Sequence, residues 1–574
     1  MLHLEANILV FFLLLSFFFE GIGVPFGRET AFFIILFLPL FLSLRVLVLK
    51  QKIVLPISAT YLFISFLFFS ALSTAFSLNA QKSFEYFIYL VALFTIFLYT
   101  YNNKKDFEKK LVSLIFILSI FYATYSIIAS TNLHLIPAPL SGYQFIFPTF
   151  TSHNHLGDFL ALPITICIYY LFNRRHILRS CLFIAYSLPF VFFSYSRSAY
   201  LSIAGGTLFL YFFSFLKKHS WKYKLIFLIF TFGIIFFAIF FYIVTISSKQ
   251  IANYSIPQNI NKFLIEKEGL NKYKDVFGNR LNYSTQGILS VANRPLLGVG
   301  PFNFEYSSNK FTKNPLYGTT SSSHNIFLDI ATEHGLIALI VFTAFIILVF
   351  SRSKKNVLYF VALVMFINFQ TDYTYRIYSF LLLFFVITGT IYTEKKEKEI
   401  SIKLLLIAGI SLSLFAFAIL LSNFLQINNH NKEAFYLYPL NEKVYIPLIN
   451  DERNSGNYKK ALAFSNAYEN LFSGDYLTFE NLGHIYENFS DKKNTLYYYG
   501  KTLSLNFFKR PYLIKKIYYL KKEIEGKKSA DDFIFESLKR LDALENSSYI
   551  SPEFIKNFYN NCIDAKIICP KLSH

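Results

Sequence analysis

One histidine stands where a polar stretch of the sequence gives way to an apolar helical pattern. The segment from Thr319 to Leu339 opens with a Thr/Ser run, reaches His324 and Asn325, and continues with apolar residues at helical spacing. A histidine at the boundary between membrane and water can transfer protons near neutral pH. We therefore take His324 as the candidate general base, with Asn325 and Glu333 as its supporting residues.

Arginines form the second set of side chains with recognisable chemistry. In Ser194-Tyr-Ser-Arg-Ser-Ala199 a cation lies between two apolar runs, a costly place for a charge. A guanidinium there either binds phosphate oxygens with its planar donor fork or extends to the interface as an anchor. The candidate anion contacts are Arg197, Arg280, Arg294 and Arg376. The alternatives are a solvated surface position for Arg280 and Arg294, and an ion pair with Asp372 for Arg376.

Two alternating histidines raise the question of a metal. His153 and His155 precede an apolar run in Thr151-Ser-His-Asn-His-Leu-Gly-Asp158, in which Asn154 is a candidate helix cap. A zinc site needs further ligands, and no second cluster is nearby in the sequence. Capping and loop packing, or contact with a substrate, remain the other interpretations. We predict neither a metal nor another cofactor.

The composition identifies a membrane protein. Hydrophobic residues make up 54% of the 574 and charged residues only 16%. Apolar runs of a length that can cross a bilayer, roughly 20 residues, recur about thirteen times. They lie near 5–19, 30–49, 54–77, 83–101, 111–130, 156–172, 178–195, 198–216, 224–246, 334–350, 356–371, 377–393 and 402–425. We expect an all-α, polytopic fold of 12 to 13 spans, as far as about residue 425.

The distribution of lysine and arginine among the loops predicts the orientation of the chain in the membrane. Basic residues concentrate in every second connection, as at Arg45, Lys104, Arg174 and Arg352, which marks those loops as cytoplasmic. The N-terminus is then cytoplasmic, whereas the 247–323 loop and everything after 426 lie on the opposite side. The net charge of +20 is thus explained by topology and does not indicate a nucleic-acid partner.

The long 247–323 loop has one motif of its own. Asn293-Arg-Pro-Leu-Leu-Gly-Val-Gly-Pro301 predicts a tight turn with close backbone approach at Gly298 and Gly300. The segment is not a nucleotide-binding fingerprint, because the third glycine is missing and no strand is predicted before it.

The part from 426 to 574 reads as a separate soluble domain of helices. Phe479-Glu-Asn-Leu-Gly-His-Ile-Tyr486 matches the tetratricopeptide signature with Phe in place of Trp, and Ser455 to Leu462 predicts a turn between helices. Such arrays bind polypeptides or pack on their own membrane domain. Cys562 and Cys569 can form a disulfide there, although nothing in their spacing requires it.

These motifs together resemble the O-antigen ligase superfamily, which includes lipid A core ligases, O-antigen polymerases and O-linked protein oligosaccharyltransferases. The resemblance covers roughly residues 145–390. It is carried by Ser-Arg-Ser at 196–198, Arg280, Pro295-Leu-Leu-Gly-Val-Gly300 and His324-Asn325 with Glu333-x-Gly335. It implies a C-type membrane glycosyltransferase in the bacterial inner membrane that acts on the periplasmic side without a metal.

The resemblance also implies roles for single residues and for partners. His324 would activate the acceptor hydroxyl, and Arg197 and Arg280, with Arg376 as a looser match, would hold the diphosphate of an undecaprenyl-linked glycan. The acceptor would be lipid A core sugar, protein Ser/Thr or a growing glycan chain, the last making the chain a polymerase. Two other hypotheses are a flippase for lipid-linked glycan, disfavoured by the scarcity of charge at mid-span, and a non-catalytic assembly factor.

Overall fold

The computed structural model describes residues 2–22, 26–50, 52–130, 149–150, 152–194, 196–216, 278–311, 320–506, 510 and 512–545. These residues are almost all helical, which confirms the all-α, polytopic fold. The predicted span at 224–246 and both tail cysteines lie outside the described residues.

Each of the other predicted spans is a helix. They are α1 Leu2–Gly21, α2 Gly27–Val48, α3 Ile57–Ala75, α4 Ala80–Asn102, α5 Lys104–Ser130, α6 His153–Phe172, α7 Ile177–Phe193 and α8 Arg197–Leu216. After two loop helices, α9 Gly278–Asn293 and α10 Phe304–Phe311, come α11 Ile326–His334, α12 Leu336–Arg352, α13 Val357–Asn368, α14 Tyr378–Ile391 and α15 Ile402–Ile427. Six of the described helices are long and apolar enough to cross a bilayer.

The helices next to the candidate site are shorter than a full span. The 12 residues of α13 rise about 18 Å, well below the ~30 Å of a bilayer core. In α14 every residue from Ser379 to Ile391 is buried, so this helix packs against protein on all sides. Short, buried helices leave room for a polar loop between them, which is where Asp372 and Arg376 lie.

The bundle has two chemically different ends. At one end β1 Ile53–Pro56 pairs antiparallel with β2 Glu397–Ile400. Basic residues pair with acids there, as in Lys52 with Glu399 at 3.0 Å and Arg352 with Glu394 at 2.8 Å. At the other end, the loop between α13 and α14 meets the starts of α8 and α11. The candidate residues for chemistry lie at this second end.

The C-terminal helices pack in consecutive pairs and rest on the same end of the bundle as the candidate site. They are α16 Asn431–Leu437, α17 Tyr445–Asn454, α18 Tyr458–Leu471, α19 Tyr476–Asn488, α20 Lys492–Leu505, α21 Tyr512–Ile524 and α22 Lys527–Glu545. The turn predicted within Ser455 to Leu462 is present, with Gly456 at φ 76°. Backbone contacts fix this part to the α3–α4 connection, where Gly474 N donates to Leu78 O at 2.9 Å.

Candidate active site

A cap at the start of α11 presents His324. The Asn325 side chain accepts a hydrogen bond from Leu328 N at 3.0 Å and donates one to Gln370 O at 3.2 Å. It therefore accepts from a backbone N–H that has no partner within the helix, and it connects the start of the helix to the α13–α14 loop. His324 itself has φ 62°, a left-handed conformation that costs energy and concentrates at functional sites.

Asp372 is the partner of the His324 ring. His324 Nδ1 donates to Asp372 Oδ1 over 3.2 Å, and the Asp372 side chain is only 2% exposed. Arg280 Nη2 lies 3.6 Å from the second carboxylate oxygen. A carboxylate on Nδ1 fixes the tautomer and leaves Nε2 as the nitrogen that can take a proton.

The Asp372 carboxyl stays ionised at neutral pH. Burial opposes its ionisation, but the hydrogen bond from His324 and the charges of the neighbouring histidines and Arg280 outweigh that effect and lower its pKa to about 2. Two aromatic rings hold the imidazole in place. Tyr283 stacks on it with centroids 5.5 Å apart, and Tyr373 meets it edge-on at 4.8 Å.

This lowered pKa predicts a dependence of stability on acid. The pKa of Asp372 falls from 3.8 to about 2 on folding. The ionised contacts therefore stabilise the folded protein above about pH 4, and that stabilisation, about 2 kcal/mol, is lost as the pH falls towards 2. Thermal unfolding in detergent between pH 5 and pH 2 should show a smaller acid-induced loss in Asp372→Asn than in the wild type. Equal losses would contradict the ionised pair.

The Ser-Arg-Ser motif joins this group through its serines. Ser196 and Ser198 both donate to Asp158 Oδ1 at 2.6 Å. Ser198 Oγ also lies 3.3 Å from Asp372 Oδ2, so the start of α8 touches the same carboxylate as His324 and Arg280. Both serines are buried, whereas Arg197, between them at the helix start, is exposed. The motif thus places one exposed guanidinium beside a buried polar anchor.

Arg376 has a different environment from the one predicted for a donor contact. Its side chain is 5% exposed, and its Nη2 lies 2.5 Å from Asp329 and 2.7 Å from Glu333. The two carboxylates of α11 therefore hold its charge inside the protein. The alternative ion pair with Asp372 is wrong, because Asp372 pairs with His324 and Arg280 instead.

The Arg376 network reaches the histidine through Asp329. Asp329 Oδ1 accepts from the backbone N of Ser323 at 2.8 Å and from its hydroxyl at 2.6 Å, immediately before His324. Glu333 Oε1 also accepts from Phe304 N at 3.0 Å. Burial raises the pKa of Glu333 to about 7 against the lowering effect of Arg376. With two N–H groups pointing at one oxygen, we treat this carboxyl as ionised.

The glycine turn holds the end of α9 against α11, and the prediction of close backbone approach is confirmed at Gly298. Gly298 has φ 69°, and a Cβ there would lie 2.5 Å from the backbone of Glu333. A Cβ on Gly335, at φ 88°, would lie 2.0 Å from Leu296 O. Any larger residue at either position would push the loop after α9 away from the helix that carries Glu333.

Arg294 lies apart from the His324–Asp372 contact, whereas His155 lies next to it across the ring of Tyr373. Arg294 is near the C-terminal end of α9, about 21 Å along the helix from Arg280 by the α-helical rise, and it donates to Phe76 O at 3.1 Å. His155 is buried, donates through Nδ1 to Phe150 O at 2.9 Å, and packs edge-on against Tyr373. The side chain of His153 is outside the described residues. Within the described residues no His, Cys, Asp or Glu cluster could hold a metal.

Asp372 and Asp158 are the residues that sequence reasoning missed in this site. Both are acids beside apolar runs, where a charge is costly and usually has a partner or a function. Their partners lie 48 residues away in His324 and about 40 residues away in the Ser-Arg-Ser motif. That separation hides the pairing from any local pattern.

Comparison with known proteins gives one result. A family model described as O-antigen ligase matches residues 182–343. The match includes the Ser-Arg-Ser motif, Arg280, His324 and Glu333, and it ends before Asp372. No curated protein and no solved structure shows significant similarity to the chain.

Proposed function

Through residues 182–343 the chain belongs to the O-antigen ligase superfamily of membrane glycosyltransferases, and we propose that it transfers a glycan from undecaprenyl diphosphate to an acceptor hydroxyl. The observation that carries the proposal is His324 held by Asp372, with Arg280 on the same carboxylate. A base and a cation side by side are what such a transfer needs.

The proposed step is a single displacement at the anomeric carbon. The acceptor hydroxyl gives its proton to His324 Nε2 while its oxygen forms the new bond to that carbon. The bond from the carbon to the diphosphate oxygen breaks, and the electron pair leaves with the diphosphate. Arg280 and Arg197 hold the leaving group, and Asp372 stabilises the imidazolium that forms. No metal takes part.

Arg376 has a supporting role in this proposal. Its two acids already balance its charge, so a diphosphate would gain little from it. Its network instead fixes the Ser323–His324 turn. Arg294, with its contact to Phe76, is likewise assigned to the packing of the loop.

Our assignment of the two sides of the membrane is supported by the difference between the two ends of the bundle. The lysines and arginines predicted to be cytoplasmic lie at the end with the β1–β2 pair, as Lys52 and Arg352 do. The candidate site and the C-terminal helices lie at the opposite end, which we assign to the periplasm of a bacterial inner membrane. A prenyl-linked donor would reach the site from the lipid.

Deletion of the gene tests the proposed reaction. We expect one class of macromolecule to lose its glycan while undecaprenyl-diphosphate-linked glycan accumulates at the periplasmic face. The class that loses it identifies the acceptor as lipid A core, as protein, or as a lengthening glycan chain, the last being a polymerase. Accumulation of the donor at the cytoplasmic face would instead support a flippase, and an unchanged donor pool would exclude the transferase.

Arg280 gives a test of the donor side. We expect Arg280→Ala to lower transfer by about 10²-fold, the loss typical for one group that stabilises developing negative charge. Arg280→Lys keeps the charge but loses the planar, bidentate donor geometry of the guanidinium, so it should recover only part of the rate. The measurement is transfer in isolated membranes at varied donor concentration. Arg294→Ala, on the far end of the same helix, is the matched control, and an equal loss in that variant would remove the special role of Arg280.

A further inference from the structure

The chain turns back towards the bundle directly after its last long apolar helix, α15. At the end of that helix His430 N donates to Leu425 O at 2.9 Å, which closes a turn typical of helix ends. The short helix α16 then runs back along α15. Its next contact, from Ser422 Oγ to Ala434 O at 2.9 Å, lies nearer the middle of α15. This segment therefore re-enters the level of the spanning helices instead of leading away from them.

The residue that follows α16 reaches the apolar core of the bundle. The Tyr438 side chain is 5% exposed, and its ring packs on that of Phe84 with centroids 6.4 Å apart. Phe84 in turn packs on Phe415 of α15 at 5.4 Å. The Tyr438 hydroxyl donates to Glu85 at 3.3 Å. Phe84 and Glu85 belong to the second turn of the spanning helix α4, so Tyr438 lies deeper than the ends of both spanning helices.

The length of α15 places one edge of the hydrocarbon core near this level. Lys403, in the first turn of α15, is exposed and charged, and it therefore belongs in the headgroup region. A helix crosses the hydrocarbon core in about 20 residues, so the opposite edge lies near Phe424. Ser422 is on the inner side of that edge, and so is Ala434, which it contacts.

The side of α16 that faces away from the protein carries two large side chains with apolar surface. Tyr436 is 82% and Leu437 is 37% exposed. On the neighbouring turns of α15, Phe424 is 63% and Ile427 is 74% exposed. Exposed apolar side chains of a spanning helix face lipid. Because α16 lies at the same depth, its exposed side chains continue this lipid-facing surface.

We propose that Tyr436 and Leu437 insert into the lipid at the membrane boundary and anchor the C-terminal helices on the membrane, on the side of the candidate site. Tyrosine suits this place because its ring is apolar and its hydroxyl reaches water. Segments of this kind lie with their apolar face about 5–10 Å below the surface. The partner is the phospholipid of that leaflet, and the proposal does not depend on the reaction proposed above.

The lipid contact adds to two contacts that already fix this part to protein. After α16, Asn441 Nδ2 donates to Ser422 Oγ at 3.0 Å, so the chain stays on α15. Further along, Gly474 N donates to Leu78 O at 2.9 Å. With lipid as a third point of attachment, the C-terminal helices are held against the membrane surface.

The hairpin of α17 and α18 offers a reference position on the outer side of the same domain. Lys432, in the first turn of α16, pairs with Glu452 near the end of α17 at 3.1 Å. The end of α17 is therefore level with the start of α16, which is its outer end. Tyr458 begins the next helix and is 65% exposed. It is a tyrosine like Tyr436, but it lies on the side away from the lipid.

Tryptophan fluorescence in nanodiscs of brominated phosphatidylcholine tests the proposal. The full chain has one tryptophan, so Trp221→Phe gives a background for Tyr436→Trp or Leu437→Trp. Bromine on the acyl chains quenches tryptophan that touches them. We expect both variants to lose emission relative to lipid without bromine, and to lose more with bromine near the headgroup than near the chain end. Phe417→Trp, exposed on α15, is the positive control, and Tyr458→Trp is the matched negative control.

Three results would overturn the anchor. The first is emission of both α16 variants that bromine leaves unchanged, as in Tyr458→Trp. The second is equal quenching of Tyr458→Trp, which would show that the contact is not specific to α16. The third is stronger quenching by bromine near the chain end, which would place α16 deep in the leaflet. Since no donor or acceptor is present, none of these results bears on glycan transfer.

Discussion

Replacing His324 with alanine is expected to lower glycan transfer by about 10²–10⁴-fold, the usual contribution of a positioned acid–base group. The physical reason is the loss of the imidazole that Asp372 holds and whose Nε2, in the proposed reaction, accepts the proton of the acceptor hydroxyl. The measurement is transfer from lipid-linked donor in membranes that contain equal amounts of each variant. Donor binding should be nearly unchanged, so the loss should appear in kcat.

Two companion variants make this prediction specific. Asp372→Asn should lose nearly as much, since an amide can present its NH₂ group to Nδ1 and stabilise the wrong tautomer of the ring. Added imidazole should restore part of the activity of His324→Ala, because the space between Tyr283 and Tyr373 is left open. His430→Ala changes an exposed histidine far along the chain and serves as the control. Wild-type transfer by His324→Ala would exclude the base.

Most of the fold could be predicted because lipid imposes a strong constraint on sequence. A bilayer accepts only long apolar helices from a chain of this kind, so runs such as 30–49 and 402–425 locate α2 and α15 to within a few residues. Hydropathy says less about helices that pack on protein. The 12-residue α13 was predicted as a run of 16 residues, because the residues that follow Asn368, among them the buried Phe369, belong to a loop within the protein.

The site was only partly predictable. The sequence shows which residue types are present, but their contact partners are set by the tertiary fold. His324 stands out by its chemistry and its place beside an apolar run, and Arg280 only as a cation in the long loop. The pairing of Asp372 with Arg376 assumed that two charges four residues apart meet, which holds on a helix. Residues 369–377 contain only a single 3-10 turn, Thr374–Arg376, so the two side chains point to different partners. Tertiary packing decided the pairing.

Arg376→Met is expected to have the largest effect on stability. It removes the cation from a site where Asp329 is 2% and Glu333 about 5% exposed, and leaves two buried carboxylates without their partner. Breaking a buried pair in this way costs about 3–5 kcal/mol. We expect little folded protein in the membrane, and a lower thermal unfolding midpoint for the fraction that can be purified.

The triple variant Arg376→Met, Asp329→Asn, Glu333→Gln separates stability from substrate binding. It keeps the shapes of the two acids and removes all three charges, so the protein should again accumulate, as replaced buried ion pairs often do. The Asn side chain can still accept from Ser323, which preserves the turn before His324. If Arg376→Met alone instead folds with an unchanged midpoint and loses only affinity for the lipid-linked donor, the arginine binds the diphosphate. That result would restore the role predicted from sequence and would assign Asp329 and Glu333 to orienting a donor contact.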